Sequence, residues 1–448
     1  MRTLAESPMP SNLRQMTWTL ILTMFLLTLR VNAQSVEKFV PFNDFIQGVA
    51  AANSTQYVGR PDSKVQDAVA FDEMRQHILT MYQGVHVSNS FVLDAHHFDC
   101  VPINEQPSIR LGDVKNIAAP PPLSALSKSG QVGDSSELKS QLSPSLRSDE
   151  FGNAIGCSEA SIPMRRITLD DMTHYPNLRA FFEKGPDGQG RATRPDGMNA
   201  PAAPAHKYAY TYQYVNNLGG DSALNLWRPY VNTLLGEIFS LSQQWYVGWG
   251  TGSTQTAEVG WQNYPAKYGS QNSALFIYYT ADNYNKTGCY NLDCAAFVQV
   301  NHTWYLGSGF SNYSTSGGAQ YSFEAQYYLY QGNWWLALGG TWVGYYPGSL
   351  YGSGQMRYNA QLIEYGGESV GSWIWPPEGS GAWASAGWSY AAYQRNVWYR
   401  DTAGSTWWAN LSVAQPSPAC YSIAGPYYST SPGWGRYFYM GGPGGTGC

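Results

Sequence analysis

Two short segments contain the residues of this chain that are best suited to chemistry: Ala257-Glu258-Val259-Gly260-Trp261 and Tyr365-Gly366-Gly367-Glu368-Ser369. Each segment places a glutamate in a strand pattern rich in glycine and aromatic residues, and the two glutamates are 110 positions apart. Acidic residues are scarce beyond His206, and a carboxylate without a partner is costly to bury. A glutamate in such a strand therefore needs a partner or a catalytic task.

Two carboxyl groups held close together share one proton, because both cannot be ionised at short range. The ionised member can then act as a base toward water, while the protonated member polarises a carbonyl or protonates a leaving group. Such a device suits acidic pH. The alternative is that Glu258 and Glu368 are ordinary strand residues that face solvent or pair with arginine.

Other catalytic devices find little support in the sequence. The histidines of the second half are His206, at the edge of a Gly/Pro-rich run, and His302, inside an N-x-S/T sequon. Neither context predicts a Ser-His-Asp or Cys-His arrangement. His96 and His97 resemble a metal cluster, but adjacent residues of a strand point to opposite faces. We therefore expect no metal and no cofactor.

Residues 1–33 have the pattern of a secretory signal peptide. Arg2 and Arg14 supply its positively charged region, and Val31-Asn32-Ala33 fits a small-residue cleavage site. The alternative, a membrane anchor, is disfavoured because the apolar stretch at 18–29 is too short to span a bilayer. We expect a secreted, extracellular protein with no membrane partner after signal removal. The net charge of −5 over 448 residues, without a basic run, argues against a nucleic-acid partner.

The cysteines agree with export, because their number is even and disulfides persist in oxidising compartments. The six are Cys100, Cys157, Cys289, Cys294, Cys420 and Cys448. Cys289 and Cys294 enclose a tight loop, and a zinc site would need histidine or more cysteine nearby. We expect disulfides.

The first half, up to about residue 204, has the pattern of mixed helix and loop. Apolar spacing predicts an amphipathic helix over residues 63–82. A second helix is predicted over 169–182, with Thr168 or Asp170 as its cap. Residues 118–149, rich in Ser and Pro, are predicted to form a flexible loop, and the Gly/Pro-rich run from Lys184 to His206 a linker open to proteolysis.

The second half, which holds all but one of the 17 tryptophans, has the pattern of short antiparallel strands separated by Gly/Ser/Asn turns. Strands are predicted over residues 209–215, 244–249, 257–263, 274–279, 295–300, 320–330, 334–338, 341–345, 361–365, 386–397 and 421–429. Many short strands favour a sandwich or jelly roll. One helix is predicted, over residues 227–239.

Several segments of the chain resemble those of a known family. The segments that carry the resemblance are Leu226-Trp-Arg-Pro-Tyr-Val231, Phe239-Ser-Leu-Ser-Gln-Gln-Trp245, Glu258-Val-Gly-Trp-Gln262, Leu275-Phe-Ile-Tyr-Tyr-Thr-Ala-Asp282, Gly288-Cys-Tyr-Asn-Leu-Asp-Cys294, Phe297-Val-Gln299, Gly332-Asn-Trp-Trp335, Val343-Gly-Tyr-Tyr-Pro347 and Gly366-Gly-Glu368, preceded by Asp99-Cys-Val-Pro-Ile-Asn-Glu-Gln-Pro107 and Ile162-Pro-Met-Arg-Arg-Ile167. In their order and spacing they resemble the neprosin family of secreted glutamic peptidases.

The resemblance implies a zymogen of three parts: a signal peptide (1–33), an activation peptide or pro-domain with its linker (34–204) and a catalytic domain (205–448). It implies a mainly β fold, in which an antiparallel, jelly-roll-like sandwich of two bent sheets follows a smaller mixed α/β pro-domain. The pro-segment would cover the cleft as an inhibitor and leave on acidification. The implied disulfides are Cys289–Cys294, Cys420–Cys448 and, in the pro-segment, Cys100–Cys157.

The family's catalytic glutamates fall at its E-x-G-W and G-G-E motifs, here Glu258 and Glu368, and its founding members cleave after proline. We give Glu258 the base role as a working hypothesis. The candidate substrate-binding residues are Trp261, Gln243, Gln244 and Trp373, each of which could equally be a core or sheet-edge residue. Three departures bear on substrate preference: Tyr346 where several members have Trp, the Gly-rich tail at 441–447, and the Trp/Gly-dense stretch at 372–388.

The expected partner is therefore a peptide or protein, with proline-rich chains favoured. A start of the mature chain near Ala202 or Ala205 would indicate self-cleavage after Pro201 or Pro204, and a start after Arg191 or Arg194 a trypsin-like activator. Two alternatives remain open: a glycoside hydrolase that uses the two glutamates, and a non-catalytic carbohydrate- or cell-wall-binding module.

Overall fold

The computed structural model describes residues 38–126, 141–142, 147–185, 206–250 and 252–448. The predicted signal peptide and most of the predicted linker lie outside these residues, as does much of the predicted loop at 118–149. Val36–Cys448 form one compact unit. Within the described part of the chain, no helix combines the length and apolar character that crossing a membrane requires.

The first half is a small mixed α/β layer. Its helices are α1 (Phe42–Ala51), α2 (Ala68–Tyr82), α3 (Pro107–Arg110), α4 (Leu169–Thr173) and α5 (Leu178–Phe182). Its antiparallel sheet has the order β1 (Ser90–Leu93), β2 (His96–Pro102), β3 (Ser161–Arg165). Arg166 donates to both carboxylate oxygens of buried Asp99 at 2.9 and 2.5 Å, which ties the end of β3 to β2. Short 3-10 turns occupy Ser54–Gln56, Ile103–Glu105 and Leu123–Ala125.

Two helix predictions need correction. Helix α2 begins at Ala68 rather than at 63, because the carboxylate of Asp67 accepts hydrogen bonds from the N–H groups of Val69 and Ala70 and caps the helix there. The single helix predicted over 169–182 is two helices, α4 and α5. Pro176 separates them because proline cannot donate within a helix and restricts the residue before it.

The second half consists of antiparallel strands. They are β4 (His206–Asn225), β5 (Glu237–Gly250), β6 (Ser253–Asn263), β7 (Ala274–Thr280), β8 (Cys289–Tyr290), β9 (Val298–Gln299), β10 (Ser322–Tyr330), β11 (Asn333–Leu338), β12 (Thr341–Pro347), β13 (Ala360–Gly371), β14 (Ala392–Asp401), β15 (Thr406–Trp408), β16 (Ser412–Ala414), β17 (Ser422–Ser429) and β18 (Gly435–Gly441). Helix α6 (Pro265–Tyr268) follows β6, and 3-10 turns lie at Thr233–Leu235, Gly348–Tyr351, Gln355–Arg357 and Ala384–Ala386.

The long strand β4 is shared by two layers. Its first part pairs with β13, which continues the layer through β5, β6, β7 and β8. Its second part pairs with β10, which continues through β11, β12 and β9, and with β14 on its other side. At the change of layer Gly219 has φ +114°, and an added Cβ would lie 2.1 Å from the carbonyl oxygen of Tyr327. The mainly β, two-layered antiparallel fold predicted from the sequence is confirmed.

The helix predicted over residues 227–239 is wrong. This segment runs without regular structure into the 3-10 turn at Thr233–Leu235, and β5 already begins at Glu237. Pro229 has no N–H to donate, and Gly236 adopts a left-handed conformation that ends the turn. The strand predicted over 295–300 is reduced to the two residues of β9.

Candidate active site

The two glutamates lie on either side of one strand. In the register of the sheet, Gln243 of β5 stands opposite Gly260 of β6 on one side and opposite Gly366 of β13 on the other. Glu258 and Glu368 are two residues from these glycines, and side chains two apart on a strand point to the same face. Both carboxyl groups and the amide of Gln243 therefore share one face of the first layer.

The glycines of the two motifs are required by the close approach of neighbouring strands. An added Cβ at Gly260 would lie 2.1 Å from the carbonyl oxygen of Ser242 and 2.7 Å from Cα of Gln243. One at Gly366 would lie 2.5 Å from Cα of Tyr210. No side chain fits at either position, so Gln243 has no side chain directly opposite it on the two neighbouring strands.

Glu258 is fully buried and fully hydrogen-bonded. Its Oε1 accepts from the hydroxyls of Thr256 at 2.8 Å and Tyr284 at 2.7 Å. Its Oε2 accepts from Nζ of Lys184 at 2.5 Å. Two neutral hydroxyls and one cation thus hold this carboxyl group.

Glu368 is also buried, but its partners differ. Its Oε1 lies 2.6 Å from Nδ1 of His206, and its Oε2 lies 3.1 Å from Nζ of Lys184, an ion pair without hydrogen-bond alignment. Burial alone would raise the pKa of Glu368. The charge of Lys184 and the hydrogen bond from His206 outweigh burial, so this pKa is lowered from its ordinary value of 4.5.

Lys184 corrects the prediction that the linker begins at this residue. Its side chain is fully buried; it donates to Oε1 of Gln243 at 3.0 Å as well as to Glu258. The ammonium also lies over the rings of Trp245 and Phe276, 5.3 and 5.9 Å from their centres. Burial would lower the pKa of Lys184, but the two carboxylates outweigh it and raise this pKa. The residue that covers the pair is therefore a cation from the first half of the chain.

A third carboxyl group lies behind β13. Glu378 is fully buried, and neither of its oxygens has a hydrogen-bond partner within the described part of the chain. An added Cβ at Gly367 would lie 2.2 Å from Cδ of Glu378. Since Gly367 and Glu368 point to opposite faces of β13, Glu378 occupies the face away from the pair. Burial, and then the charge of Glu368, raise the pKa of Glu378 well above its ordinary value.

The predicted substrate-binding residues are not all brought together. Gln243 lies between the glutamates, and its Nε2 has no partner among the residues described. Gln244 and Trp261 point to the opposite face and are buried between the layers, where Gln244 donates to the carbonyl of Ala325 and Trp261 to that of Asn225. Trp373 is exposed and packs over Gly236, beyond the end of β13.

Four residues around the pair were not proposed from the sequence for this role: Lys184, His206, Thr256 and Tyr284. His206 was noted only as a histidine at the linker edge, although it directly precedes the aromatic pattern of β4. Nothing in the spacing of Lys184 or Tyr284 connects them to the glutamates, because each is brought there by chain contacts over 26 to 74 positions.

All six cysteines form disulfides, Cys100–Cys157, Cys289–Cys294 and Cys420–Cys448. These are the pairings that the resemblance implies. No group of three or more His, Cys, Asp or Glu side chains suited to a metal ion occurs among the residues that the structure describes.

The fold is an antiparallel β-sandwich with two buried carboxyl groups on one face of a layer. Residues 236–443, which run from the start of β5 to just beyond β18 and contain both glutamates, match the family model described as Neprosin. This part of the chain is a neprosin-family domain, and that family is associated with peptidase activity.

Proposed function

We propose that this protein is a glutamic endopeptidase that hydrolyses peptide bonds in acid with the pair Glu258 and Glu368. The observation that carries the proposal is the position of both carboxyl groups on one face, on either side of Gln243. Family membership supports a peptidase in general. The pair of acids supports the finer assignment, because it contains a base for water and an acid for the peptide bond.

The reaction balances with these side chains alone. The ionised carboxylate takes a proton from water as the oxygen bonds to the scissile carbon, and the protonated carboxyl gives its proton to the carbonyl oxygen. Collapse of the intermediate returns that proton, breaks the C–N bond and transfers the proton taken from water to the leaving nitrogen. The Nε2 group of Gln243 is suited to donate to the developing oxyanion.

A preference for proline is part of the proposal. The register places Tyr208, Tyr210, Trp245 and Phe276 on the same face as the two glutamates. Flat aromatic surfaces pack well against a pyrrolidine ring, and the resemblance implies cleavage after proline.

We further propose that the protein is made as a secreted zymogen, with 34–204 as the pro-segment and 205–448 as the catalytic domain. Lys184 supports this, because its ammonium lies on both carboxyl groups where substrate and water would bind. The lowered pKa of Glu368 sets the pH dependence: stabilisation by this ion pair is present above the ordinary value of 4.5 and is lost as the pH falls through the lowered value. The three disulfides are compatible with secretion.

The test is to express the chain without residues 1–33, shift it to about pH 3–4, and follow the chain length and a proline-rich peptide over time. We expect shortening by the pro-segment, cleavage after proline, and resistance to inhibitors of serine, cysteine and metallopeptidases. Glu258→Gln and Glu368→Gln should each lower turnover at least about a hundredfold. Glu73→Gln, an exposed position on α2, is the control.

Full turnover in either glutamine variant would refute the catalytic assignment. Release of reducing sugar instead of peptide would indicate a glycosidase, and a wild-type chain with affinity for carbohydrate but no turnover would indicate a binding module. The first residue of the mature chain separates self-cleavage after Pro201 or Pro204 from activation after Arg191 or Arg194.

A further inference from the structure

The histidine at the start of β4 is built into the acid pair. Nδ1 of His206 lies 2.6 Å from Oε1 of Glu368, and both side chains are buried. The imidazole is held between the ring of Tyr208, at 6.2 Å, and the edge of Phe239, at 6.3 Å. The ring therefore has a defined orientation toward Glu368.

The other nitrogen of this imidazole faces the pro-segment. Nε2 of His206 has no hydrogen-bond partner among the described residues. An added Cβ at Gly185 would lie 3.2 Å from it, so Gly185 packs against this edge of the ring. Lys184 therefore covers the two carboxyl groups, and Gly185 covers Nε2 of His206.

The two glutamates differ in what remains around them once Lys184 is removed. Glu258 keeps the hydroxyls of Thr256 and Tyr284, which are neutral. Glu368 keeps the imidazole of His206, whose hydrogen bond and charge lower the pKa of this carboxyl group. When two carboxyl groups share one proton, the proton resides on the one without the adjacent cation.

We propose that His206 is a positioning residue that keeps Glu368 ionised, so that Glu368 is the base and Glu258 carries the shared proton. The inference rests on the proposed function of the pair and names the role of each member. It replaces the working hypothesis that Glu258 is the base.

The hydrogen bonds fit this division of roles. Oε1 of Glu258 accepts from two hydroxyls, which leaves Oε2, the atom that faces Lys184, as the position for the proton. That proton then points into the space that the ammonium vacates, where it can reach a scissile carbonyl. On Glu368, Oε1 is taken by His206 and Oε2 is the atom open to water.

Other titratable groups around Glu368 and His206 do not remove the difference between the surroundings of the two glutamates. They are Tyr208 on β4, Glu258 on β6, Tyr284 on the loop after β7, Lys184 of the pro-segment and, behind β13, Glu378. The tyrosines are neutral in acid, and burial, with the charge of Glu368, holds Glu378 in its neutral form because its pKa is well above the ordinary value. Lys184 would leave with the pro-segment.

The experiment is the pH profile of kcat/KM for matured wild type, His206→Gln and His206→Ala with a proline-containing peptide. The acid limb reports ionisation of the base in the free enzyme. Without the imidazole, which lowers the pKa of Glu368, we expect this limb to move upward by about one pH unit or more, with at least a tenfold loss at the acid end. The alkaline limb should stay in place. His302→Gln, on the loop after β9, is the matched control and should leave both limbs unchanged.

An unchanged acid limb in both His206 variants, or movement of the alkaline limb alone, would overturn the inference. If the His206 variants fail to fold or mature, residual activity of the glutamine variants tests the same assignment: Glu368→Gln should lose the acid limb and Glu258→Gln the alkaline limb, and the reverse pattern would refute it. A wild type without glutamate-dependent hydrolysis would instead refute the proposed function itself.

Discussion

At the scale of single residues, Lys184 shows how one buried cation can block an acid pair. An ammonium without partners would not be buried, because its desolvation is costly. Here two carboxylates and the amide of Gln243 replace its hydration. The same contacts neutralise the charges that the proposed reaction needs, so Lys184 would have to leave before the pair could act.

We predict that Lys184→Met weakens this block. Methionine fills similar space but leaves the two buried carboxyl groups without the ammonium. At neutral pH this destabilises the state in which residue 184 lies on the pair. On a gel, shortening of the chain should begin at a pH about one unit or more higher than in wild type. Lys207→Met is the control, since Nζ of Lys207 donates to the carbonyl oxygen of Cys448 instead. The same onset pH in the Lys184 variant and wild type would contradict the role of Lys184.

A second prediction concerns Glu378. Burial and then the charge of Glu368 raise its pKa above the ordinary 4.5, so the folded protein binds this proton more tightly than the unfolded chain. Its contribution to stability is full below the ordinary value and is lost as the pH rises through the raised value, by about 1.4 kcal/mol for each pH unit in that interval. Glu378→Gln cannot ionise and should lose less stability between pH 5 and pH 8.

The measurement is the Tm of the uncleaved chain across that pH range. The Tm of wild type should fall more steeply with rising pH than that of Glu378→Gln. The Tm of Glu73→Gln, an exposed change on α2, should follow that of wild type. Parallel curves for wild type and Glu378→Gln would show that the buried carboxyl does not control stability in this range.

At the scale of the elements, the positions of the glutamates depend on the spacing of β13, β5 and β6. Gly260 lets β6 approach β5, and Gly366 lets β13 approach β4, without a side chain between them. The second glycine of the G-G-E motif, Gly367, makes room for Glu378 on the other face. The two motifs therefore serve strand packing as well as chemistry, which explains why glycine accompanies each glutamate.

We predict that Gly366→Ala impairs both the fold and the site. Its Cβ would lie 2.5 Å from Cα of Tyr210, so β13 or β4 must move, at a cost of about 1–3 kcal/mol. Because Glu368 follows two residues later, kcat/KM should fall along with Tm. Gly48→Ala in α1, where an added Cβ has open space, should hold or raise Tm; an equal response of the two variants would refute the packing argument.

At the scale of the whole molecule, the first half is bound to the second by many contacts outside the linker. Gln106 exchanges two hydrogen bonds with the backbone of Gln299, both at 2.9 Å, and Nε2 of His77 lies 2.9 Å from the carbonyl oxygen of Asp293. Arg179 donates to the carbonyl oxygen of Tyr284 at 2.9 Å. Apolar residues of both halves form one continuous core.

We therefore predict that cutting the linker does not by itself release the pro-segment. Wild type nicked by trypsin at Arg191 or Arg194 at pH 7 should elute from a sizing column as one particle and show two chains only under denaturing conditions. When the sample is then shifted to the proposed activation range of about pH 3–4, the chains should separate. Separation at pH 7 would show that the linker alone holds the halves together.

The sequence by itself determined the β class, the two glutamates and the cysteines, because these depend on local period and residue type. Strand alternation shows that Gln243 and Gln244 face opposite sides, but only the second layer decides that Gln244 and Trp261 are interior and that Gln243 lies with the pair. The linker pattern placed Lys184 in solvent, since composition is blind to a contact 74 positions away. His206 and Lys184 join the site because the tertiary fold brings them there. Contacts between residues far apart in the sequence leave no periodic pattern in the chain.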